Sequence, residues 1–285
     1  MVPSLQPLHV VRKLHREGVW RGLAPRAPKK KALARVLVER GLFPDVTVAS
    51  RWVMTGQVVV DGRRLDKPGV AVSPLVDIRV KGLDRKYVSR GGIKLEHALK
   101  QFAMEVAGRV ALDAGASTGG FTDCLLQNGA AKVYAVDCGF GQLAGTLRVD
   151  PRVVNLERVN IGSLRSETLN PPPSLATLDF SYLSLTKAIP QVAGLLTPEA
   201  AIVALIKPRF EVRKNGELTS DDYLTSVTLV AGAGEAFGWE VAGLDRSPIL
   251  GSRGEPEFLI SLKRPCGRPE ARADWRALAR AVATP

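Results

Sequence analysis

Residues 112–122, Leu-Asp-Ala-Gly-Ala-Ser-Thr-Gly-Gly-Phe-Thr, form a glycine-rich segment that joins an apolar strand to an apolar helix. We expect the strand over residues 109–113 and the helix from the end of the segment onward. Gly115, Gly119 and Gly120 allow the backbone to turn sharply and to approach a bound ligand. A strand, a glycine loop and a helix in this order indicate a ligand-binding corner of an open α/β sheet.

The glycine spacing argues against a ligand rich in phosphates. Ser117 stands where a dinucleotide-binding motif would have its middle glycine, and no Gly-Lys-Ser/Thr follows to form a P-loop. Asp137 ends the next apolar strand, residues 132–137, at a position suited to accept hydrogen bonds from ribose hydroxyls. Together these features predict an adenosine-type cofactor. The alternative is that the glycines only form turns in an α/β domain.

The chain has 285 residues, of which 45% are hydrophobic, and a formal net charge of +12. This length favours two domains with a sizeable core. The first 31 residues contain eight lysines or arginines and a single acid, Glu17. Such a segment attracts phosphate backbones or anionic membranes without sequence specificity, unless it is simply a solvated tail.

Three cysteines, Cys124, Cys138 and Cys266, lack the spacing of metal ligands, so we predict neither a disulfide framework nor a zinc site. No stretch reaches the ~18 uncharged apolar residues of a spanning helix. The basic start is poor in serine and does not resemble an organelle transit peptide. We therefore expect a cytoplasmic protein without a metal and without stable membrane association.

Residues 29–80 predict a small basic α+β domain, after a basic and poorly ordered arm over residues 1–28. A first helix is expected to end at Gly41, and Asp45 is expected to cap a second helix. The Asp61-Gly62 pair lies between two β-prone stretches and predicts a β-hairpin. Short strands should follow up to residue 80.

A linker over residues 81–86 leads into residues 87–264, where strand and helix signals alternate. The strands are expected near residues 109–113, 132–137, 152–156, 175–179, 201–206, 238–243 and 257–262. This alternation predicts a seven-stranded, mostly parallel sheet with helices on both faces, which binds ligands beyond the carboxyl ends of its strands. Residues 265–285 form a tail, in which residues 275–282 favour a short helix.

Residues 29–80 resemble an S4-type RNA-binding domain in Leu37-Val-Glu-Arg-Gly-Leu42, Thr55-Gly-Gln-Val-Val-Val-Asp-Gly62 and Lys67-Pro-Gly69. The second helix departs from the commoner Ser-Arg start, because it begins Asp45-Val-Thr47. The resemblance implies contacts to RNA phosphates, which position RNA without specifying its sequence. The candidate contacts, each of which could instead be an ordinary surface charge, are Lys29, Lys30, Lys31, Arg51, Arg63 and Arg64, with Arg90 added from the second domain.

Residues 29–263 as a whole resemble the TlyA family, historically labelled hemolysin A. The motifs that carry the resemblance are Val88-Ser-Arg-Gly-Gly-Ile-Lys-Leu95, Asp113-Ala-Gly-Ala-Ser-Thr-Gly-Gly-Phe121, Asp179-Phe-Ser-Tyr182, Leu205-Ile-Lys-Pro-Arg-Phe-Glu211 and Glu255-Pro-Glu-Phe258. The resemblance implies an S4 domain joined to an FtsJ-like, S-adenosylmethionine-dependent methyltransferase domain with the Rossmann-like class I fold. It also implies that the substrate is a ribose 2′-hydroxyl of ribosomal RNA, free or within ribosomal subunits.

By the same resemblance, the Lys-Asp-Lys-Glu tetrad of such enzymes falls on Lys94, Asp179, Lys207 and Glu257. Lys207 is expected to contact the nucleophilic oxygen, as a base or as a cation that stabilises the alkoxide. Lys94 would tune Lys207 and help to hold RNA, and Asp179 would orient Lys207. Glu257 would hold Lys94 or the ribose, and Glu255 is a rival for that role.

The cofactor is expected to contact the glycine loop with its methionine part and sugar, Asp137 with its ribose diol and Asn160 with its adenine. The full set of predicted cofactor-binding residues is Asp113, Gly115, Ala116, Ser117, Thr118, Gly119, Gly120, Phe121, Asp137, Asn160 and Asp179. Two other functions stay open. One is an RNA-binding ribosome-assembly factor whose methyltransferase domain is catalytically silent, and the other is a membrane-active hemolysin. The sequence leaves the oligomeric state open.

Overall fold

The structure is a computed structural model that describes residues 29–82, 86–265 and 274–284. The expected arm over residues 1–28, the centre of the expected linker and the start of the expected tail lie outside the described residues. The chain divides into two compact units, residues 1–84 and 85–285. Among the described residues, no helix combines the length and the apolar character needed to cross a membrane.

The first unit packs two helices against short strands. In chain order the elements are β1 (Lys31–Ala32), α1 (Leu33–Glu39), α2 (Val46–Met54), β2 (Val58–Val60), β3 (Arg63–Leu65), β4 (Ala71–Val72) and β5 (Ile78–Val80). Strand β2 pairs antiparallel with β3 and β5, and β1 pairs antiparallel with β4. A small core of buried aliphatic side chains, including Leu33, Leu37 and Val53, joins the helices to the strands.

Local capping and turn chemistry explain these elements. The Asp45 carboxylate accepts a hydrogen bond from Val48 N at 2.8 Å and so caps α2. Asp61 and Gly62 have φ values of +47° and +77°, as a tight hairpin turn requires. The predicted helices and hairpin are confirmed. Strand β1 was not predicted, because two residues are too few to show a periodic pattern.

The second unit is a sheet covered by helices on both faces. Its elements are α3 (Gly91–Gln101), β6 (Val110–Ala114), α4 (Gly120–Gln127), β7 (Lys132–Asp137), α5 (Gly145–Arg148), β8 (Val153–Glu157), β9 (Leu175–Leu178), α6 (Leu185–Ala193), β10 (Ala201–Ile206), α7 (Pro208–Val212), α8 (Ser220–Ala236), β11 (Glu240–Arg246), β12 (Phe258–Lys263) and α9 (Trp275–Ala283), with short 3-10 helices at Ile161–Ser163 and Ser166–Thr168. The strand order is β11-β12-β10-β9-β6-β7-β8, and β12 alone runs in the direction opposite to the other six strands of this sheet. The predicted seven-stranded, mostly parallel sheet is confirmed.

The strand order creates a crevice at one edge of this sheet. The chain continues from β6 to its neighbour β7 on one side, whereas the later strand β9 pairs with β6 on the other side. The direction in which successive strands are added to the sheet therefore reverses at β6. Ligands of such sheets bind outside the carboxyl ends of the strands at this switch point. Because β12 is antiparallel and pairs Phe258 with Ile206, the residue before β12 reaches the same edge as the residue after β10. Asp179, Lys207 and Glu257 therefore share this edge.

The core of the second unit lies on both faces of the sheet. All six residues of β10 are buried, as expected of a central strand that is covered on both sides. The predicted C-terminal helix is confirmed as α9, and it belongs to this core. Trp275 is buried and donates a hydrogen bond from Nε1 to Glu235 Oε1 at 2.9 Å, while Arg246 Nη2 donates to Thr284 O at 2.8 Å. These contacts hold α9 against α8 and β11.

Candidate cofactor pocket and catalytic residues

The glycine loop passes too close to its neighbours for larger residues. Gly115 has a φ of +86°, and a Cβ there would lie 2.5 Å from the carbonyl oxygen of Asp179. Gly119 has a φ of +93°, in the left-handed region that favours glycine. A Cβ on Gly120 would lie 3.0 Å from Gly92 N, so this glycine lets the starts of α3 and α4 approach each other. The sequence motif is thus explained by backbone geometry.

Asp113 lies in the core and holds the elements that flank the glycine loop. Its side chain is fully buried, and it accepts hydrogen bonds from Thr122 Oγ1 at 2.6 Å and Thr177 Oγ1 at 3.0 Å. Burial raises the pKa of Asp113 to about 7, although both hydroxyl groups act in the opposite direction. The carboxylate therefore ties β6, α4 and β9 together. Asp113 lies beneath the loop rather than at the surface of the pocket.

Asp137 is held against the other end of the loop. Its Oδ2 accepts a hydrogen bond from Ser117 N at 2.8 Å, and its Oδ1 accepts one from Gly139 N at 2.7 Å. Each carboxylate oxygen has a second lone pair, so the group can still accept hydrogen bonds from a diol. These two backbone donors fix the carboxylate at the carboxyl end of β7.

Two further residues lie near Asp137. The backbone oxygen of Asp137 accepts a hydrogen bond from Val159 N at 3.0 Å, which brings the next residue, Asn160, to this corner. Asn160 is exposed and caps a 3-10 helix. Tyr182 is 53% exposed and interacts with Cys138. Partial burial, Cys138 and the charge of Asp137 raise the pKa of Tyr182 to about 12, so the phenol stays neutral. Sequence reasoning gave Tyr182 no role.

A pocket opens above the glycine loop, and Lys94 and Asp179 take part in its wall. Its lining residues are Ser89, Gly91, Lys94, Gly115, Ala116, Ser117, Thr118, Gly120, Phe121 and Asp179. Most of the predicted cofactor-binding residues are thus brought together here, whereas Asp113, Gly119, Asp137 and Asn160 lie outside this lining. Ser89 and Gly91 were not predicted, because they precede the glycine loop by a whole helix. We call this space the loop pocket.

The four tetrad residues form two ion pairs. Lys94 and Glu257 are 8% and 7% exposed, and Lys94 Nζ donates a hydrogen bond to Glu257 Oε2. Lys207 Nζ lies 2.7 Å from Asp179 Oδ1 and donates a hydrogen bond to Ser181 Oγ at 2.8 Å. Asp179 Oδ1 is buried and receives no directed hydrogen bond, so its contact with Lys207 is mainly electrostatic. All four predicted residues therefore lie at the same edge.

A second pocket adjoins the tetrad on its other side. Its lining residues are Ser181, Lys207, Pro208, Arg209, Phe210, Gly251, Ser252, Arg253, Glu255 and Glu257. We call this space the outer pocket. Lys207 and Glu257 line the outer pocket, whereas their partners Asp179 and Lys94 line the loop pocket. Each ion pair thus has one member in each pocket. This arrangement would place a ligand in one pocket close to a ligand in the other.

Glu255 and Glu257 have different ion-pair partners. Glu255 Oε1 accepts hydrogen bonds from Arg209, including one from Nε at 2.9 Å, whereas Glu257 binds Lys94. Both acids line the outer pocket, and of the two it is Glu257 that pairs with Lys94. Arg209 and Phe210 also line this pocket, although no sequence signal beyond their proximity to Lys207 pointed to them.

The predicted RNA-contacting residues are at the surface of their units. Five of them are exposed in the first unit: Lys29, Lys30, Arg51, Arg63 and Arg64. Lys31 is also exposed, but its ammonium pairs with Glu39 at 2.7 Å. In the second unit, Arg90 is exposed and donates from Nη2 to Leu250 O at 2.5 Å.

Comparisons with known proteins identify a family and similar sequences. Residues 87–264 match the family described as FtsJ-like methyltransferase. The chain is 43% identical to the Bacillus subtilis protein YqxC, named as an rRNA methyltransferase, over 83% of this chain and 87% of that protein. It is also 43% identical to the 16S/23S rRNA (cytidine-2′-O)-methyltransferase TlyA of Mycobacterium tuberculosis, over 80% of this chain and 87% of that protein.

A solved structure extends this similarity to three dimensions. The hemolysin-named protein from Streptococcus thermophilus superposes with a TM-score of 0.65 at 37% identity, covering 90% of this chain and 95% of that protein. Both the sequence and the fold are therefore shared over most of the chain. The chain belongs to the FtsJ-like methyltransferase family, in the group of TlyA-related and hemolysin-named proteins.

Proposed function

We propose that this protein transfers a methyl group from S-adenosylmethionine to a ribose 2′-hydroxyl of ribosomal RNA. The observation that carries the proposal is the pair of ion pairs between the two pockets, because group transfer requires two ligands to meet at one set of side chains. The names of the two rRNA methyltransferase relatives support the choice of substrate.

The loop pocket fits the proposed cofactor. When bound, S-adenosylmethionine would supply an electrophilic methyl group on its sulfonium. Gly115 and Gly120 give the close backbone approach that a methionine and ribose moiety requires, and Asp137 would accept hydrogen bonds from the ribose diol. Asn160 and the exposed Tyr182 would border the adenine. Asp113 would act from beneath, by fixing the loop.

Lys207 would act on the nucleophile. A ribose hydroxyl is a weak acid, so a group near its oxygen must accept the proton or stabilise the developing negative charge. Lys207 is the tetrad lysine that lines the outer pocket, and Asp179 and Ser181 fix its ammonium nitrogen. Glu257 would hold Lys94 at the boundary, where Lys94 adds positive charge beside Lys207.

The outer pocket would receive the target nucleotide. Phe210 is 40% exposed there and Arg253 is exposed, so the wall offers an apolar ring and a cation to RNA. We further propose that the first unit is an S4-type RNA-binding domain, whose exposed cations would add phosphate contacts without sequence specificity. Ribosomal RNA as the substrate would place the protein in the cytoplasm.

The test is transfer of a labelled methyl group to purified 30S and 50S subunits. We expect the wild type to label at least one of them and the Lys207→Ala variant to be slower by at least about 100-fold. The matched control is Lys263→Ala, because Lys263 is exposed and ends β12 at the opposite edge of the sheet. This control should retain full activity.

Two outcomes would overturn the proposal. One is equal labelling by the wild type and the Lys207→Ala variant, which would remove the tetrad from the reaction. The other is cofactor binding and RNA binding with no methyl incorporation into either subunit. The second outcome would favour a ribosome-assembly factor with a silent methyltransferase domain.

A further inference from the structure

Glu211 is a buried acid that joins two segments of the candidate site. It lies on α7, is 9% exposed and lines neither pocket described above. Its Oε1 accepts a hydrogen bond from Leu185 N at 2.9 Å, and its Oε2 accepts one from Ser184 Oγ at 2.5 Å. Both donors belong to the start of α6. Glu211 therefore connects α7 to the N-terminus of α6.

These two elements carry the ion pair of Asp179 and Lys207. Helix α7 begins directly after Lys207, and the Lys207 carbonyl oxygen accepts hydrogen bonds from Phe210 N at 2.9 Å and from Glu211 N at 3.4 Å. The segment from Asp179 to Ser184 runs from the end of β9 to the N-cap of α6. It contains Ser181, which binds Lys207. The two segments thus meet at two places, at Lys207 and at Glu211.

We propose that Glu211 is a positioning residue that sets the orientation of Lys207 against Asp179 and Ser181 by fixing α7 to the start of α6. The inference rests on the proposed function, since it assigns a role within the same site. Glu211 touches neither pocket, so its effect must pass through the backbone of Lys207. Misplacement of a reacting group by about 1 Å can lower a rate by about 100-fold, so a small movement of α7 would be sufficient.

The hydrogen-bond donors at the start of α6, Leu185 N and Ser184 Oγ, require an acceptor. The first backbone N–H groups of a helix have no partner within the helix, and a carboxylate there is further stabilised by the helix dipole. Burial raises the pKa of Glu211, while the hydrogen bonds from Leu185 and Ser184 act in the opposite direction. An alanine would leave the Leu185 N–H without this acceptor. A glutamine would keep one amide oxygen for it, and Ser184 could accept from the amide nitrogen.

The test compares Glu211→Ala with Glu211→Gln in the full chain. Single-turnover methyl transfer to the subunit labelled by the wild type should fall roughly 10- to 100-fold in Glu211→Ala, and Glu211→Gln should recover most of the rate. S-adenosylmethionine affinity, measured by calorimetry, should change by less than about 2-fold in both variants, because Glu211 lies outside the loop pocket.

The control separates positioning from loss of stability. Asp274 also caps a helix with its carboxylate, since Oδ1 accepts from Arg276 N at 3.1 Å and Ala277 N at 3.3 Å at the start of α9. Asp274→Ala should lower the melting temperature but leave the single-turnover rate unchanged. Equal rate losses in Asp274→Ala and Glu211→Ala would overturn the inference, as would a Glu211→Ala enzyme with the wild-type rate.

A crystal structure of Glu211→Ala keeps the inference testable without an activity measurement. We expect the contact between Lys207 Nζ and Asp179 Oδ1 to be lost or lengthened, and its retention at 2.7 Å would overturn the inference. An inactive wild type would instead count against the proposed function. The two failures are therefore distinguishable.

Discussion

The exposed arginines of the first unit and the two tetrad lysines of the second unit are in opposite environments. In the first unit, Arg51 and Arg63 are exposed on a small α+β scaffold. In the second unit, Lys94 is buried against Glu257, and Lys207 is held between Asp179 and Ser181. Exposed cations contribute affinity for phosphates, and that affinity depends on salt. Buried and paired cations contribute fixed geometry, at a considerable desolvation cost.

The largest expected effect is on the buried pair. Glu257→Ala would leave the Lys94 ammonium buried without its acid, so we expect the free energy of unfolding to fall by about 3 kcal/mol or more. Chemical denaturation of the full chain measures this. The double variant Lys94→Met/Glu257→Leu should recover much of the loss, because it leaves no unpaired charge.

An exposed pair provides the comparison for this prediction. Lys31 and Glu39 form an ion pair in which both side chains are more than 40% exposed. Glu39→Ala should therefore cost less than about 1 kcal/mol. If Glu257→Ala and Glu39→Ala lowered the free energy of unfolding by the same amount, the buried and the exposed ion pair would contribute alike, and the comparison between the units would be wrong.

A second prediction concerns the pH dependence of stability through Asp113. Its pKa is raised from 3.8 to about 7 in the folded protein. The folded state therefore binds this proton more tightly than the unfolded state, so the contribution of Asp113 to stability falls as the pH rises from about 4 to about 7. Asp113→Asn lacks this titration and should gain stability relative to the wild type across that range, by an amount on the order of a few kcal/mol.

Urea denaturation of both proteins between pH 4 and pH 8 tests this prediction. A constant difference in the free energy of unfolding across the range would contradict it.

The smallest expected effect is on RNA affinity. The double variant Arg51→Gln/Arg63→Gln should weaken RNA binding by about 10-fold at low salt. The slope of the logarithm of RNA affinity against the logarithm of salt concentration should become shallower by about one to two. Its methyl-transfer rate at saturating RNA should not change. Arg79→Gln is the matched control, since Arg79 is exposed and lies 3.4 Å from Asp77. A lower rate at saturating RNA would show that these cations do more than bind.

Strand ends were the most predictable part of the site. Lys207 and Asp179 each follow an apolar strand, and strands of a parallel sheet end at the same edge, so their positions agree with the roles that the family resemblance implied. Glu257 directly precedes the last strand and reaches the same edge, whereas Lys94 lies on a helix and no strand end pointed to it. Glu255 and Glu257 differ in their partners, Arg209 and Lys94, and no local sequence pattern specifies these contacts.

Contacts between distant loops could not be predicted. Glu211 looked like the end of a motif, and only the fold shows that it reaches Ser184, 27 positions earlier. Likewise, the sequence of residues 275–282 indicated a helix but not that Trp275 would join the core beside Glu235. Such partners are chosen by tertiary packing, so the periodicity of one segment carries no information about them.

The reversed direction of β12 has a consequence for how the site is completed during synthesis. Lys94, the glycine loop, Asp179 and Lys207 all emerge from the ribosome before Glu257. A chain interrupted between β10 and β12 would contain the whole loop pocket but would have no acid for Lys94. It would also leave β10 without the strand that pairs along its full length. A chain truncated there should therefore be less stable than the full chain, because it keeps a buried ammonium without its acid and a central strand without its partner.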